Sequence, residues 1–285
     1  MTATAIDQPT RALAPRSPTE WLGGLWRDVT VLTRRNLVHI AREPLTLSDV
    51  TIQPVLFTLL FIYIFGAGIA VPGGGSYKDF ALAGLLTLNL TTSAGGTAVG
   101  LSTDLTTGAI DRFRTLPMWR AAVLVGRSVS DVLAATLCVT IVAMTGLAIG
   151  WRTHDGLASA LAGFAVALLF SYSLSWASAC VGLVSEGPES AQSVALLVLF
   201  PLAFVSNAMV PTQHMPTLLR VIANWNPVSA VTAACRQLFG NPNPSANIHA
   251  WPMQHPVAAS LLWSITLLAI FAPLASVLYR KRTTD

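Results

Sequence analysis

Six long apolar stretches, separated by short polar connectors, organise this chain: residues 50–71, 80–103, 132–150, 157–184, 191–210 and 257–279. Each approaches or exceeds the roughly 20 residues that an α-helix needs to cross the ~30 Å hydrocarbon core of a bilayer. The pattern predicts an all-α, polytopic membrane protein with six transmembrane helices, 17–285 forming a single transmembrane domain. The fifth stretch contains Pro201 and ends at Pro211. A kink is expected there, with the freed backbone groups met by neighbouring helices.

Three flanking segments have a different pattern. Residues 1–16 are polar and rich in Pro and Thr and read as a disordered tail, without the apolar core of a leader. At 17–43, Ser17 is a good N-cap, Pro18 suits the first helical position and Glu20 completes a capping box. Leu22, Leu25, Val29 and Leu32 line one side of this helix and Arg27, Asp28, Arg34 and Arg35 the other. With Trp21 and Trp26 it reads as an interfacial elbow helix. Residues 211–256 predict a helical re-entrant segment before the last span: a helical run at 215–225, then Asn226 and Pro227, a second run at 228–239, and a turn-rich loop from Gly240. Its Leu218, Leu219, Val221 and Ile222 suit a lid dipping into the outer leaflet.

The most unusual connector is 108–118. Ile110, Phe113 and Leu116 recur at helical spacing, while Asp111, Arg112 and Arg114 carry charge on the other face. Gly108 precedes this element and Pro117 stops it, since the residue before a proline avoids the α region. A simple polar turn would join two spans, so this one reads as a docking element for something in the cytoplasm.

Composition agrees with the hydropathy pattern. The chain is 53% hydrophobic and 11% charged, with mean hydropathy +0.60, whereas soluble domains carry about 25% charged residues. The net charge of +4 fits loop bias toward an anionic leaflet better than nucleic-acid binding. The N-terminal arm before the first span, the 108–127 connector and the tail together hold 13 of the 17 Lys and Arg residues. The other side keeps Lys78, Arg152, Arg220 and Arg236. The positive-inside rule then makes both termini and the 108–118 connector cytoplasmic. Of the three cysteines, Cys138 and Cys180 fall inside apolar spans and read as packing residues.

Chemistry is constrained by what is missing. There is no Gly-x-x-x-x-Gly-Lys-Ser/Thr phosphate loop, so this chain does not hydrolyse ATP by that route. The five histidines lack metal-ligand spacing, and no metal, cofactor or catalytic residue is expected on this chain. The six stretches as bounded above contain no Asp, Glu, Lys, Arg or His, which weighs against an ion-coupled carrier or an intramembrane acid–base enzyme. Small residues gather at Gly95, Gly96 and Gly100 and at Ser171, Ser175 and Ser178. They suit packing within the chain, a seam between two copies or a wall of the substrate path. Thr87, Asn89, Thr91 and Thr92 put polar groups in the second span, where they either line a cavity or bond to neighbouring helices. With Ser206 and Asn207 they are the candidate substrate-path residues.

Four places in order resemble the permease subunits of type 2 ABC exporters, in particular the daunorubicin-resistance-like branch of bacterial drug and lipid exporters. Leu32–Asn36 leads into Gln53–Phe57, Phe65 and Gly66. The connector 108–118 continues to Gly126, Arg127 and Asp131. The run from Phe200 to Pro211 is the third place, and Met215, Pro216, Asn226 and Pro227 form the fourth. The resemblance implies two permeases, as copies or paralogues, in the bacterial cytoplasmic membrane, in contact with its lipid and with two separate ATPase subunits below. ATP and Mg would sit on those ATPases. Carried over, Gly108, Asp111, Arg112, Phe113, Arg114 and Pro117 would form the element that couples this chain to the ATPase. The implied function is export of a hydrophobic or amphipathic compound. A secondary transporter or channel not driven by ATP is the alternative.

Overall fold

The computed structural model describes residues 30–31, 33–36, 38, 42, 44–66, 71, 76–108, 122–244 and 248–282. Among them every regular element is helical. We number these helices α1 (Pro44–Phe65), α2 (Tyr77–Ser93), α3 (Gly95–Thr106), α4 (Ala122–Ala148), α5 (Gly156–Val184), α6 (Pro188–Phe204), α7 (Thr217–Trp225), α8 (Pro227–Phe239), α9 (Trp251–Gln254) and α10 (Pro256–Arg282). Four stretches are long and apolar enough to cross a membrane: Leu47–Phe65, Leu124–Ala148, Gly156–Val184 and Pro256–Arg282. The α6 helix is apolar but shorter. Of the expected elbow over 17–43, residues 30–31, 33–36, 38 and 42 are described, and they are helical.

The central element is α5, packed against α10, α3, α8, α4, α2 and α6. Its inward stripe is made of small residues, which lets neighbours come close. A Cβ on Gly182 would stand 2.4 Å from the Ala98 carbonyl of α3, and one on Gly163 would meet the Phe239 ring of α8 at 2.6 Å. Ser171, Ser175 and Ser178 are buried in this same interior. These serines pack within the chain. All three cysteines are buried and free, Cys235 with its thiol 3.5 Å from the Gly163 carbonyl.

Two expected spans are interrupted. The second apolar stretch is two helices, α2 and α3, joined at Ala94. A local cause is visible in the sequence. The side chains of Thr87, Asn89, Thr91, Thr92 and Ser93 all donate to carbonyls three or four residues back in their own helix. Such back-bonding competes with the helical ladder and bends helices, and two glycines follow at once. The fifth stretch runs through Pro201 for one more turn and ends at Phe204, where the Val205 amide donates to the Pro201 carbonyl at 2.8 Å.

One expectation is corrected. The third apolar run begins at Val132 by composition, but α4 begins at Ala122 and its span at Leu124. Arg127 and Asp131 therefore lie inside a candidate span. The helix extends across them because the two charges, one turn apart, pair with each other at 3.3 Å and bond to α3.

At Gly84 of α2 the absence of a side chain is required by contact. A Cβ there would lie 1.7 Å from the Ala208 carbonyl. Gly84→Ala should therefore destabilise the protein by about 1–3 kcal/mol, the usual cost of overpacking. Gly96→Ala, with nothing within 4 Å of the added carbon, should be neutral or slightly stabilising. Thermal unfolding of the two variants in detergent checks the contrast; equal melting temperatures would refute it.

Candidate functional site

Polar chemistry concentrates at the two ends of the bundle. At the end where α3 leads into the 108–118 connector, Gly108 takes φ +67°, the left-handed conformation that glycine supplies as α3 ends. Asp111, Arg112, Phe113, Arg114 and Pro117 lie outside the described residues. Their root, however, is defined. Asp104 on α3 pairs with Arg35 of the preceding arm at 2.5 Å, and the Thr33 hydroxyl donates to the Gly126 carbonyl near the start of α4 at 3.3 Å. At the same end Arg282 of α10 donates to the Leu183 and Val184 carbonyls, satisfying the last turn of α5.

One turn further into α4, Arg127 donates to the Gly96 carbonyl at 2.9 Å, and Asp131 accepts from the Thr97 hydroxyl at 2.9 Å. Both acceptor and donor belong to the first turn of α3, just past the Ala94 joint. Gly100 leaves the slot in which the guanidinium lies: a Cβ there would fall 2.2 Å from both of its terminal nitrogens. The Gly96/Gly100 spacing, read from sequence as a place for helices to meet, thus admits an arginine side chain on the Gly100 side.

At the opposite end the centre is Arg236 on α8, fully buried. Among the described residues no carboxylate lies within ion-pair distance of it. It donates instead to three backbone carbonyls: Phe80 at 3.0 Å, Asn207 at 3.0 Å and Ala208 at 2.9 Å. Its guanidinium also lies 3.7 Å from the centre of the Phe80 ring, a cation–π contact that favours a desolvated arginine. Asn226, at the other end of α8, works similarly. Its side-chain oxygen caps α8 by accepting from the Val228 amide at 2.8 Å. Its side-chain nitrogen donates to the Leu202 and Val205 carbonyls at 2.7 and 2.6 Å. Asn226 thus meets carbonyls at the end of α6, and Arg236 meets those of Asn207 and Ala208 in the stretch after it. Gly240, left-handed at φ +67°, ends α8, and Asn241 ties that end to the Asp79 carbonyl at 3.1 Å.

The structure brings two of the expected path residues into this joint. Ser206 and Asn207 are buried in it; the Asn207 amide donates to the Ser229 hydroxyl of α8 at 2.9 Å, and its carbonyl accepts from Arg236. Thr87, Asn89 and Thr91 are buried along α2 and Thr92 is partly buried there, each bonded to its own helix. Arg236 and Asn226 escaped the sequence reading. A signal for Arg236 was present: it is the sole charge in a run of Ala, Ser, Thr, Val and Cys from 228 to 235, small residues that leave no polar face to orient it outward.

The ABC-2 type transporter family model matches residues 27–239. The chain is 32% identical over 279 residues to the daunorubicin resistance ABC transporter permease protein DrrB1 of Streptomyces coeruleorubidus, covering 98% of this chain and 91% of that one. It is 24% identical over 260 residues to the probable doxorubicin resistance ABC transporter permease protein DrrC of Mycobacterium tuberculosis, 88% of each chain. It is also 25% identical over 222 residues to the putative transport permease ycf38 of Pyropia yezoensis, 77% of this chain and 76% of that one.

Removing Arg236 takes the side-chain donor from the buried Asn207 and Ala208 carbonyls, at about 1–3 kcal/mol each. Arg236→Ala should lower the thermal midpoint markedly, and Arg236→Lys should recover only part of the loss because an ammonium lacks the guanidinium fork. Tryptophan fluorescence during heating in detergent measures both; an Arg236→Ala variant melting with the wild type would exclude the capping role.

Proposed function

This chain belongs to the ABC-2 type transporter family and is the membrane permease subunit of an ABC exporter; we propose that it moves hydrophobic or amphipathic compounds outward across a bacterial cytoplasmic membrane. The observation that carries the cargo class is the 32% identity, across 98% of the chain, to a permease named for daunorubicin resistance. The apolar, small-residue interior built around α5 is consistent with it.

In this reading the polypeptide crosses six times, with both termini in the cytoplasm. The α2–α3 pair is one broken span. The 17 residues of α6 rise only about 26 Å at 1.5 Å per residue, short of the ~30 Å core. The irregular stretch after it is tolerated at membrane depth because α8 re-enters and covers it, as irregular backbone in a bilayer requires. Leu218, Leu219, Val221, Ile222 and Trp225 of α7 are exposed and would rest in the outer leaflet. The outward apolar faces of α1 and α10 would meet lipid or a second permease, a copy or a paralogue. Two ATPase subunits carrying ATP and Mg would bind at the connector end. There Asp111, Arg112, Phe113 and Arg114, with Gly108 and Pro117 at the ends, would receive the push of ATPase closure. Thr87, Asn89, Thr91, Thr92, Ser206 and Asn207 remain the candidate path residues, exposed to cargo when the outer joint opens.

The Arg127–Asp131 pair is the one observation that favours a proton-coupled carrier, since ionisable groups at membrane depth often serve proton relays. Both members are engaged with each other and with α3, which supports a structural link instead. Vesicles containing this permease and its ATPase should take up doxorubicin on addition of ATP, and the permease alone should not. Full uptake driven by a proton gradient without the ATPase would overturn the reading. Asp111→Ala combined with Arg114→Ala should abolish uptake while the protein stays folded and ATP is still hydrolysed; unchanged uptake would refute the docking role.

A further inference from the structure

The contacts of α3 set it apart from α2, with which it shares an apolar stretch. It is gripped at both ends by charges from other segments: Asp104 by Arg35 next to the connector, and its first turn by Arg127 and Asp131 of α4. Between α3 and α2 the helical ladder is interrupted at Ala94, after five back-bonding side chains between Thr87 and Ser93. A helix break without such features is a packing irregularity. Here the break, the charge grip and the glycine slot lie within about two turns, between Ala94 and Gly100. The side chain filling the slot comes from the helix that begins on the far side of the connector.

We propose that the Ala94 joint is a hinge and Arg127 its pin: a positioning residue that makes α3 and the first turns of α4 move as one lever when the connector is displaced, pivoting against α2. This rests on the reading of 108–118 as the ATPase contact. Mechanically, the connector is rooted in α3 on one side and α4 on the other. A push on it would splay two independent helices. The Arg127–Gly96 and Asp131–Thr97 bonds convert that push into rotation of a pair, delivered to α2 at the joint. The polar run 87–93 then serves to weaken α2 where it bends.

The test uses the assembled permease–ATPase complex in lipid nanodiscs, with no cargo needed. Spin labels are placed at Ser76 and Thr107, the exposed outer ends of α2 and α3, and in a second sample at Thr107 and Thr136, exposed on α4. The native cysteines are buried and label poorly. In the wild type, trapping with ATP and vanadate should shift the 76–107 distance and leave the 107–136 distance unchanged. Gly100→Ala, whose Cβ expels the guanidinium from its slot while keeping every charge, should let the 107–136 distance shift or broaden on trapping. Doxorubicin uptake per ATP hydrolysed should fall about tenfold, the scale of a typical coupling free energy between sites. Asp131→Asn, which releases Arg127 without adding bulk, should behave alike. A fixed 76–107 distance, a 107–136 shift in the wild type, or Gly100→Ala behaving as wild type would each overturn the proposal. Crosslinking of the connector to the ATPase, scored in the same samples, separates these outcomes from failure of the docking reading itself.

Discussion

Inside a bilayer a carbonyl without a partner has no water to turn to, and that constraint shapes the end of this molecule remote from the connector. The α6 helix stops at Phe204, and the stretch after it has carbonyls without a helical partner. Asn226 reaches the Leu202 and Val205 carbonyls and Arg236 those of Asn207 and Ala208, which ties the end of α6 and the stretch after it to α8. The Gly84 contact with Ala208, the seating of Phe80 under the guanidinium and the burial of Asn207 all follow from bringing α8 close enough for the reach. Burying a cation without a carboxylate is costly. Three carbonyls and an aromatic face supply the negative potential that a carboxylate would have given, without adding a second ion to desolvate.

The two inward arginines solve the same problem differently, and the difference matches their places. Arg236 donates to the Asn207 and Ala208 carbonyls, which follow α6, and to the Phe80 carbonyl in the first turn of α2. Arg127 pairs with a carboxylate on its own helix and donates to a neighbour. The first arrangement joins three segments without a carboxylate among the described residues. The second links two helices, each of which keeps its own ladder.

Much of this was legible in the chain. Apolar run length marked α5 and α10 closely and placed α1 about six residues late, at 50–71 against Pro44–Phe65; Asn226-Pro227 with Gly240 marked both ends of α8, because capping and left-handed turns are local chemistry. Two things were not legible for one reason. Hydropathy averages a window, so Arg127 and Asp131 delayed the apparent start of α4, and Arg236 was counted with Arg220 as one of the charges on the outer side. In both cases the charge is neutralised by an atom distant in sequence, such as the Gly96 carbonyl or the Asn207 carbonyl, and no local pattern reports that. The polar run in α2 was legible as polar but not as self-bonded, since the same threonines satisfy a cavity or their own helix equally well. The connector itself, its charge and stripe plain in the sequence, lies outside the described residues, and its root at Asp104, Arg35 and Gly108 is what the structure adds.

The shared use of Asn226 has a consequence for the order in which the molecule is made. Its oxygen starts α8 and its nitrogen meets the end of α6, and Arg236 secures the stretch between them a helix later. A nascent chain that has emerged only as far as Phe204 therefore carries α6 without the donors that meet its end. That joint closes only when roughly thirty more residues have been synthesised and have folded back onto it, a non-local closure of the slow kind. The joint is thus completed later than the helices α2 and α6 that it ties together.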